Sequence, residues 1–469
     1  MIEPKWATDL RRESDETLHT LKDGNKKDKY NFSVLARNFI KLWESTINQW
    51  DGLKAVQCLR ASGEQEKAID LAVKVEKSFP DFQRIKNLHA WCLYDINFKM
   101  PIKENENSKK VYQKSLEVLS LSPAGEFSPS ERMMDRFIKW VSDSEKFDDN
   151  TLKNWLNSVN PDNLSSETEK YGKGSISQSN QEWWYDKNIG LLFNEKEYEK
   201  CIDACDKAFE KITQFSSQNE EGFFFRYRKA QCLKELERYS EIESTLLPAL
   251  KIKDTWYMNL LISEAYLKRN MLDDSYEYAL KAALSYGPPS KLENGWMVFL
   301  HFANLLYEKK DRENTQKLVE FCVSLRQKRD WPIPDELEYL MKKINFSVPQ
   351  NRPLDHKRIY RSLKRVWENE YMKYLKKDPG EIDRVIKNKN VYAKIRSGKE
   401  FFFQISDYWG NTRELKQGFK VWIYHNPDQK TEEGLTPVAF KVTPRNAPRT
   451  PRENFKKPLR RNQPTRRKD

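Results

Sequence analysis

Three consecutive phenylalanines, Phe401, Phe402 and Phe403, follow a basic stretch in an otherwise very polar chain. Two kinds of chemistry suit such a run. A buried strand would take the rings into a core, and a surface strand would offer them to flat ligands. Side chains alternate along a strand, so Phe401 and Phe403 point one way and Phe402 and Gln404 the other. The same run can therefore serve a core and a surface at once.

The residues that usually carry catalysis or metal chemistry show no such organisation. The six cysteines form no CxxC pair. Cys201 and Cys205 stand four apart on an expected helix, without a nearby ligand set, and read as free core thiols in a reducing compartment. The five histidines (His19, His89, His301, His356 and His425) are scattered. There is no phosphate-binding glycine loop, dinucleotide fingerprint or nucleophile elbow. A non-enzymatic protein without cofactor or metal is expected.

Composition narrows the classes further. The chain has 469 residues, 33% charged and 13% aromatic, with a mean hydropathy of −0.88. So many aromatics call for packed cores. No run approaches the roughly 18 apolar residues of a membrane helix, and the first 27 residues contain no secretory apolar segment. A cytoplasmic protein with no membrane partner is expected. The formal net charge is +13, of which +8 falls on the last 25 residues, Arg445–Asp469. Prolines interrupt that stretch and little in it is apolar, so residues 444–469 are expected to be a disordered basic tail. Such tails usually meet nucleic acid.

The elements that must position these groups fall into two classes. From about residue 33 to 345 one helical pattern follows another. In Glu195–Ile212, residues Tyr198, Cys201, Ile202, Cys205, Ala208 and Phe209 share one face at helical spacing. Tyr239, Ile242, Leu246, Ala249 and Leu250 repeat the plan, as do Leu272, Ser275, Ala279 and Ala282. The step from Tyr198 to Tyr239 is 41 residues and from Tyr239 to Leu272 it is 33. Near the N-terminus Gly63, Ala68, Ala72 and Pro80 stand at matching offsets. These helix pairs resemble tetratricopeptide repeats. The resemblance implies an all-α array whose groove holds a segment of a protein partner. The expected divisions are a polar segment 1–32, repeats 33–162, a polar hinge or loop 163–181 and repeats 182–345. A basic connecting helix, 354–377, is expected to stop at Asp378-Pro379-Gly380.

After Gly380 the pattern becomes that of short strands separated by turns. "GEIDRV" (Gly380–Val385), "NVYAKI" (Asn390–Ile395), "FFFQIS" (Phe401–Ser406), "LKQGFKVWIYH" (Leu415–His425) and "GLTPVAFKV" (Gly434–Val442) follow in order. This region, 380–443, resembles the cold-shock domain, a small all-β OB barrel that binds single strands. The resemblance implies that Tyr392, Lys394, Phe402 and Gln404 lie on the ligand face, with Arg384 in place of a ring. Of these only Tyr392 and Phe402 are flat platforms, so charge must assist. The tail, with Arg460, Arg461, Arg466 and Arg467 among its cations, is expected to supply it.

Val421 and Ile423 should face the barrel core, which sends Trp422 and Tyr424 outward. Cover by the Leu354–Leu375 helix is expected for them, and a longer nucleic-acid strand is the alternative. The reading as a whole is a multidomain adaptor. Its repeats hold a protein and its barrel and tail hold single-stranded RNA or DNA, with RNA favoured by the resemblance. The rival reading is a protein scaffold in a prokaryotic defence or stress complex, with the barrel as a docking module.

Overall fold

The protein is described here from a computed structural model. It describes all residues except 1–3, 24–27, 123–124, 126, 144–147, 169, 173, 287–294, 348–354, 387–389, 396–397, 428–435 and 446–469. The chain forms two compact units, Met1–Ala249 and Leu250–Asp469. Helices succeed one another through the first unit and most of the second, and a curled antiparallel sheet ends the chain.

The first unit runs α1 (Lys5–Asp23), α2 (Lys29–Thr46), α3 (Gln49–Ser62), α4 (Gln65–Ser78), α5 (Gln83–Asn97), α6 (Ser108–Leu121), α7 (Pro129–Asp143) and α8 (Asp149–Ser158). A two-stranded hairpin follows, β1 (Lys170–Tyr171) and β2 (Ser175–Ile176), then α9 (Asn180–Asn194), α10 (Tyr198–Lys211), α11 (Phe223–Glu235) and α12 (Ile242–Ile252). Successive helices pack on each other as hairpins. Small residues sit where they meet: Ala55, Ala68, Ala72, Ala208 and Ala230 are fully buried.

One turn recurs at the hairpin bends of both units. Gly63, Lys196, Glu237, Asn270 and Lys310 all take positive φ, from 57° to 91°. In each case the next N–H donates to the carbonyl five residues back: Glu64 to Leu59, Glu197 to Leu192, Arg238 to Leu233, Met271 to Tyr266 and Asp311 to Leu306, at 2.8–3.0 Å. This is the left-handed helix stop that satisfies orphan carbonyls. Only the first of the five uses glycine. The repeat is thus written in backbone geometry more plainly than in residue identity.

One expectation for the first unit needs correction. Residues 1–32 are not merely a polar segment. Ala7 and Leu18 of α1 are buried in the core with Phe39, Leu42 and Val56, and Arg11 grips the buried Asp51 carboxylate at 2.9 and 2.7 Å. The apolar residues are spaced at one helical face, sparse enough for the charges to hide them. Segment 163–181, expected as a polar hinge or loop, carries the β1–β2 hairpin and is tied back to later residues. Ser217 N–H donates to the Ile176 carbonyl, and Ile176 N–H to Ser217 Oγ. Directly after the segment, fully buried Glu182 accepts hydrogen bonds from Ser216 N, Ser216 Oγ and Asn219 Nδ2 at 2.9–3.0 Å. Burial pushes its carboxyl up, while those donors oppose the shift. Polar residues that read as solvent-loving are here satisfied internally.

The second unit adds α13 (Trp256–Lys268), α14 (Leu272–Ser285), α15 (Trp296–Glu308), α16 (Arg312–Gln327), α17 (Asp335–Lys343) and α18 (His356–Tyr371). Helix α18 lies against α14 and α16. It buries Tyr360, Leu363, Trp367 and Tyr371. Trp367 stacks on Phe299 at 5.7 Å, and Tyr360 on Phe321 at 5.7 Å. Its opposite face exposes Lys357, Arg358, Arg361, Lys364 and Arg365.

The sheet comprises β3 (Lys376–Ile386), β4 (Asn390–Ile395), β5 (Glu400–Gln404), β6 (Lys420–His425) and β7 (Lys441–Pro444), ordered β5-β4-β3-β6-β7 and antiparallel throughout. It curls until the chain entering β7 meets the free edge of β5. There Phe402 bridges Val438 and Tyr408 bridges Val442, both parallel. Ile382, Val391, Ala393, Phe401, Phe403, Val421, Ile423 and Val442 fill the interior. The expected connecting helix 354–377 ends early, at Tyr371, and Asp378-Pro379-Gly380 lies inside β3. Pairing with β4 begins only at Gly380, so at Pro379 β3 has an open side for a residue without an N–H. Gly380 suits a close approach, since a Cβ there would meet Ile423 Cδ1 at 2.5 Å and the Lys394 carbonyl oxygen at 3.0 Å.

Candidate functional site

Strand pairing places the candidate side chains in rows across the outside of the barrel. Arg384 of β3 is opposite Tyr392 of β4, which is opposite Phe402 of β5. A bulge between Ile382 and Arg384 re-aims the end of β3. The Tyr392 and Phe402 rings are half-buried, with centroids 5.5 Å apart at 55°. The Arg384 guanidinium lies 4.3 Å above the Tyr392 ring. Beneath this row Phe401 and Phe403 are 1% and 0% exposed. The run of three phenylalanines is divided between core and surface as alternation requires.

Charge on this face differs from the sequence picture. Arg384 pairs with Glu400 at 3.2 Å and Lys394 with Asp383 at 3.1 Å. Each cation is therefore paired with a carboxylate of the same sheet, Lys394 with adjacent β3 and Arg384 with β5 across the intervening β4. Gln404 is exposed, and its backbone N–H is capped by Asp407. Arg460, Arg461, Arg466 and Arg467 lie outside the described residues.

Sequence reasoning missed two features of the barrel. Val385, Ile386 and Val438 are exposed at 41%, 48% and 47%, and Val438, bridged to Phe402, continues the ring row with an apolar residue. A concave cleft of about 400 Å³ opens between β4, β3 and β6, lined among others by Pro379, Glu381, Asp383, Lys394, Lys420 and Arg445. Runs of alternating residues hint at the first. The second depends on how the strands curl.

The expected cover of Trp422 and Tyr424 by the connecting helix also needs correction. Leu363 and Trp367 are consumed by the helical core, where Trp367 meets Phe299 and Phe302. The barrel meets α18 through other residues. Phe440 sets its ring 5.0 Å from Tyr371, edge to face, and Lys441 Nζ lies 3.0 Å from the Glu368 carboxylate. Trp422 and Tyr424 stay half-buried. Lys377 lies 4.4 Å over Trp422 and 5.5 Å over Tyr424, and Arg445 lies 5.3 Å over Trp422.

Among the described residues no group of three or more His, Cys, Asp or Glu could hold a metal ion. Cys201, Cys205 and Cys232 are all buried. Hydrogen bonding with Cys205, joined by burial, pushes the Cys201 thiol up to about 12. Such thiols are poor nucleophiles at neutral pH. Ser263 Oγ lies 2.8 Å from His301 Nε2, a nucleophile–base spacing. Ser263 and Ser275 each donate to the other's carbonyl across α13 and α14, in a fully buried clamp. Among the described residues no helix is long and apolar enough to cross a membrane.

A family described as a domain of unknown function (DUF7017) matches residues 223–366. That is under a third of the chain, from the start of α11 into α18, and it leaves out the barrel. No curated protein matches in sequence. Among solved structures, yeast Tom70 is similar at 12% identity and a TM-score of 0.25, over 79% of this chain and 90% of its own. The P58(IPK) TPR domain is similar at 11% identity and a TM-score of 0.20, over 76% and 99%. The Naa15/Naa10 structure bound to HypK-THB is similar at 11% identity and a TM-score of 0.20, over 78% and 64%. At such low TM-scores nothing is carried from those proteins to this chain.

Proposed function

We propose that this chain is a non-enzymatic, cytoplasmic adaptor. Its helical hairpins hold a segment of a protein partner, and its barrel and basic tail hold single-stranded nucleic acid, RNA in preference to DNA. The observation that carries the nucleic-acid half is the row Arg384–Tyr392–Phe402. Two rings lie side by side on the outer surface with a guanidinium over one of them, while Phe440 and Lys441 fasten the barrel to α18. The parallel closure of β5 onto the chain entering β7 supports the likeness to a cold-shock barrel. The protein-binding half rests on the repeated hairpins, since stacked repeats leave an extended surface.

Magnitudes decide how the work is shared. Base stacking contributes about 1–3 kcal/mol per ring. Two rings then give roughly 2–6 kcal/mol, no tighter than tens of micromolar. Because Arg384 and Lys394 are ion-paired, phosphate attraction must come from the exposed cations of α18 and from the tail.

The test is binding of fluorescent oligouridylate and oligothymidylate to the full chain across salt. If about six tail cations meet phosphates, affinity falls by roughly two to three decades between 50 and 200 mM salt. Removing residues 446–469 should flatten that dependence. An unchanged slope would reject the tail's role. Absence of strand binding at low salt would favour the second reading, a barrel that serves only as a docking module. The ion pairs at Arg384 and Lys394 and the attachment through Lys441 are the observations that speak for it.

A further inference from the structure

We propose that the barrel carries a second single-strand platform, formed by Trp422 and Tyr424 with Lys377 and Arg445. The cleft between β4, β3 and β6 joins it to the Arg384–Tyr392–Phe402 row. The proposal rests on the nucleic-acid reading above and extends it to the path of the strand.

Register puts both platforms on one continuous outer surface. Trp422 is opposite Pro379 and Tyr424 is opposite Lys377, on the strand that also carries Arg384. Their neighbours Val421, Ile423 and His425 are buried, so the two rings point outward. Helix α18 does not use them, because the barrel docks through Phe440 and Lys441. Cations lie over both rings. A base stacking on either ring displaces these long, flexible cations from its face to its edge, where the backbone of the strand would pass.

The cleft supplies the connection. Its charged lining is Lys394, Lys420 and Arg445 against Glu381 and Asp383, an excess of one positive charge. Arg445 N–H donates to the Lys420 carbonyl at 3.1 Å. The chain therefore leaves the barrel at the rim of this cleft, and residues 446–469 carry a further net charge of +7. From Pro379 to Arg384 is five residues of strand, about 16 Å at roughly 3.3 Å per residue. One base cannot touch both platforms. A strand of several nucleotides can, and barrels of this size engage roughly 4–16.

The test uses the full chain with oligouridylate and oligothymidylate probes of about four and about twelve nucleotides, the longer being inside the range such barrels engage. The Trp422→Ala/Tyr424→Ala double variant should weaken binding of the longer probe by roughly tenfold or more. It should leave the shorter probe's affinity near that of the unchanged protein. Tyr392→Ala/Phe402→Ala should weaken both. Should the first double variant melt early, Lys420→Glu takes its place, and the same loss confined to the longer probe is expected. Longer-probe binding untouched by the Trp422/Tyr424 and Lys420 changes, but reduced by the Tyr392/Phe402 change, would overturn the second platform and leave the first standing. If the unchanged protein binds neither probe, both fall together.

Discussion

Lys441 of β7 sets its ammonium 3.0 Å from the Glu368 carboxylate of α18, with the two side chains only 5% and 12% exposed. The Asp407 carboxylate lies 3.8 Å away on the barrel side. A lysine so well covered is held by its partners, and the pair ties sheet to helix. Removing one member of a buried pair leaves the other uncompensated and costs about 3–5 kcal/mol. Lys441→Ala should lower stability by that order in urea unfolding. Lys441→Met combined with Glu368→Leu should recover much of the loss, because a packed apolar pair replaces a desolvated charged one.

Phe401 and Phe402 should behave oppositely despite being neighbours. Phe401→Ala opens a cavity in the barrel core and should cost about 3–5 kcal/mol. Phe402→Ala removes a half-exposed ring. It should cost far less stability and weaken single-strand binding by about 1–3 kcal/mol. Parallel unfolding and binding titrations on the two variants check the contrast.

The left-handed turns offer a stabilising change. Glu237 and Lys310 are exposed, with φ of 57° and 62°, where a side chain is strained and glycine is not. Glu237→Gly and Lys310→Gly should each raise stability by about 0.5–1 kcal/mol, after the extra freedom of glycine in the unfolded chain is subtracted. Gly63→Ala, at the equivalent turn with φ of 91°, should do the reverse. Shifts in denaturation midpoint measure both.

Acid should act on the barrel through Asp378. Its carboxylate is 2.8 Å from His425 Nε2 and 3.3 Å from Lys376 Nζ. Burial alone pushes the carboxyl up, but hydrogen bonds from His425 and Lys376 hold it below the ordinary aspartate value. A depressed carboxylate stabilises the fold above the unfolded value, near 3.9. That contribution is lost as pH falls through the folded value. Asp378→Asn should therefore be less stable than the unchanged protein at pH 6, with the difference closing toward pH 2–3. Unfolding midpoints across that range report it.

What the chain's own residues settled was local. Helical spacing at Tyr198, Cys201, Cys205 and Ala208 and strand alternation at Phe401–Phe403 are periodic signals carried by neighbours, and the structure buries Cys201, Cys205, Ala208, Phe401 and Phe403 accordingly. The outward facing of Tyr392, Lys394 and Gln404 follows from the same alternation, whereas Arg384, two residues after buried Ile382, is turned outward only by the bulge between them. Long-range pairing was decided elsewhere. Nothing local joins Lys394 to Asp383, Arg384 to Glu400 or Glu182 to Ser216, because each pair forms only when separate segments meet. The same holds for docking. By composition Trp422 and Tyr424 look like the rings to cover, yet the curl of the sheet brings Phe440 and Lys441 to α18 instead. A side chain's direction along a strand is a property of its backbone. What it meets there is a property of where the other strands and helices have gone.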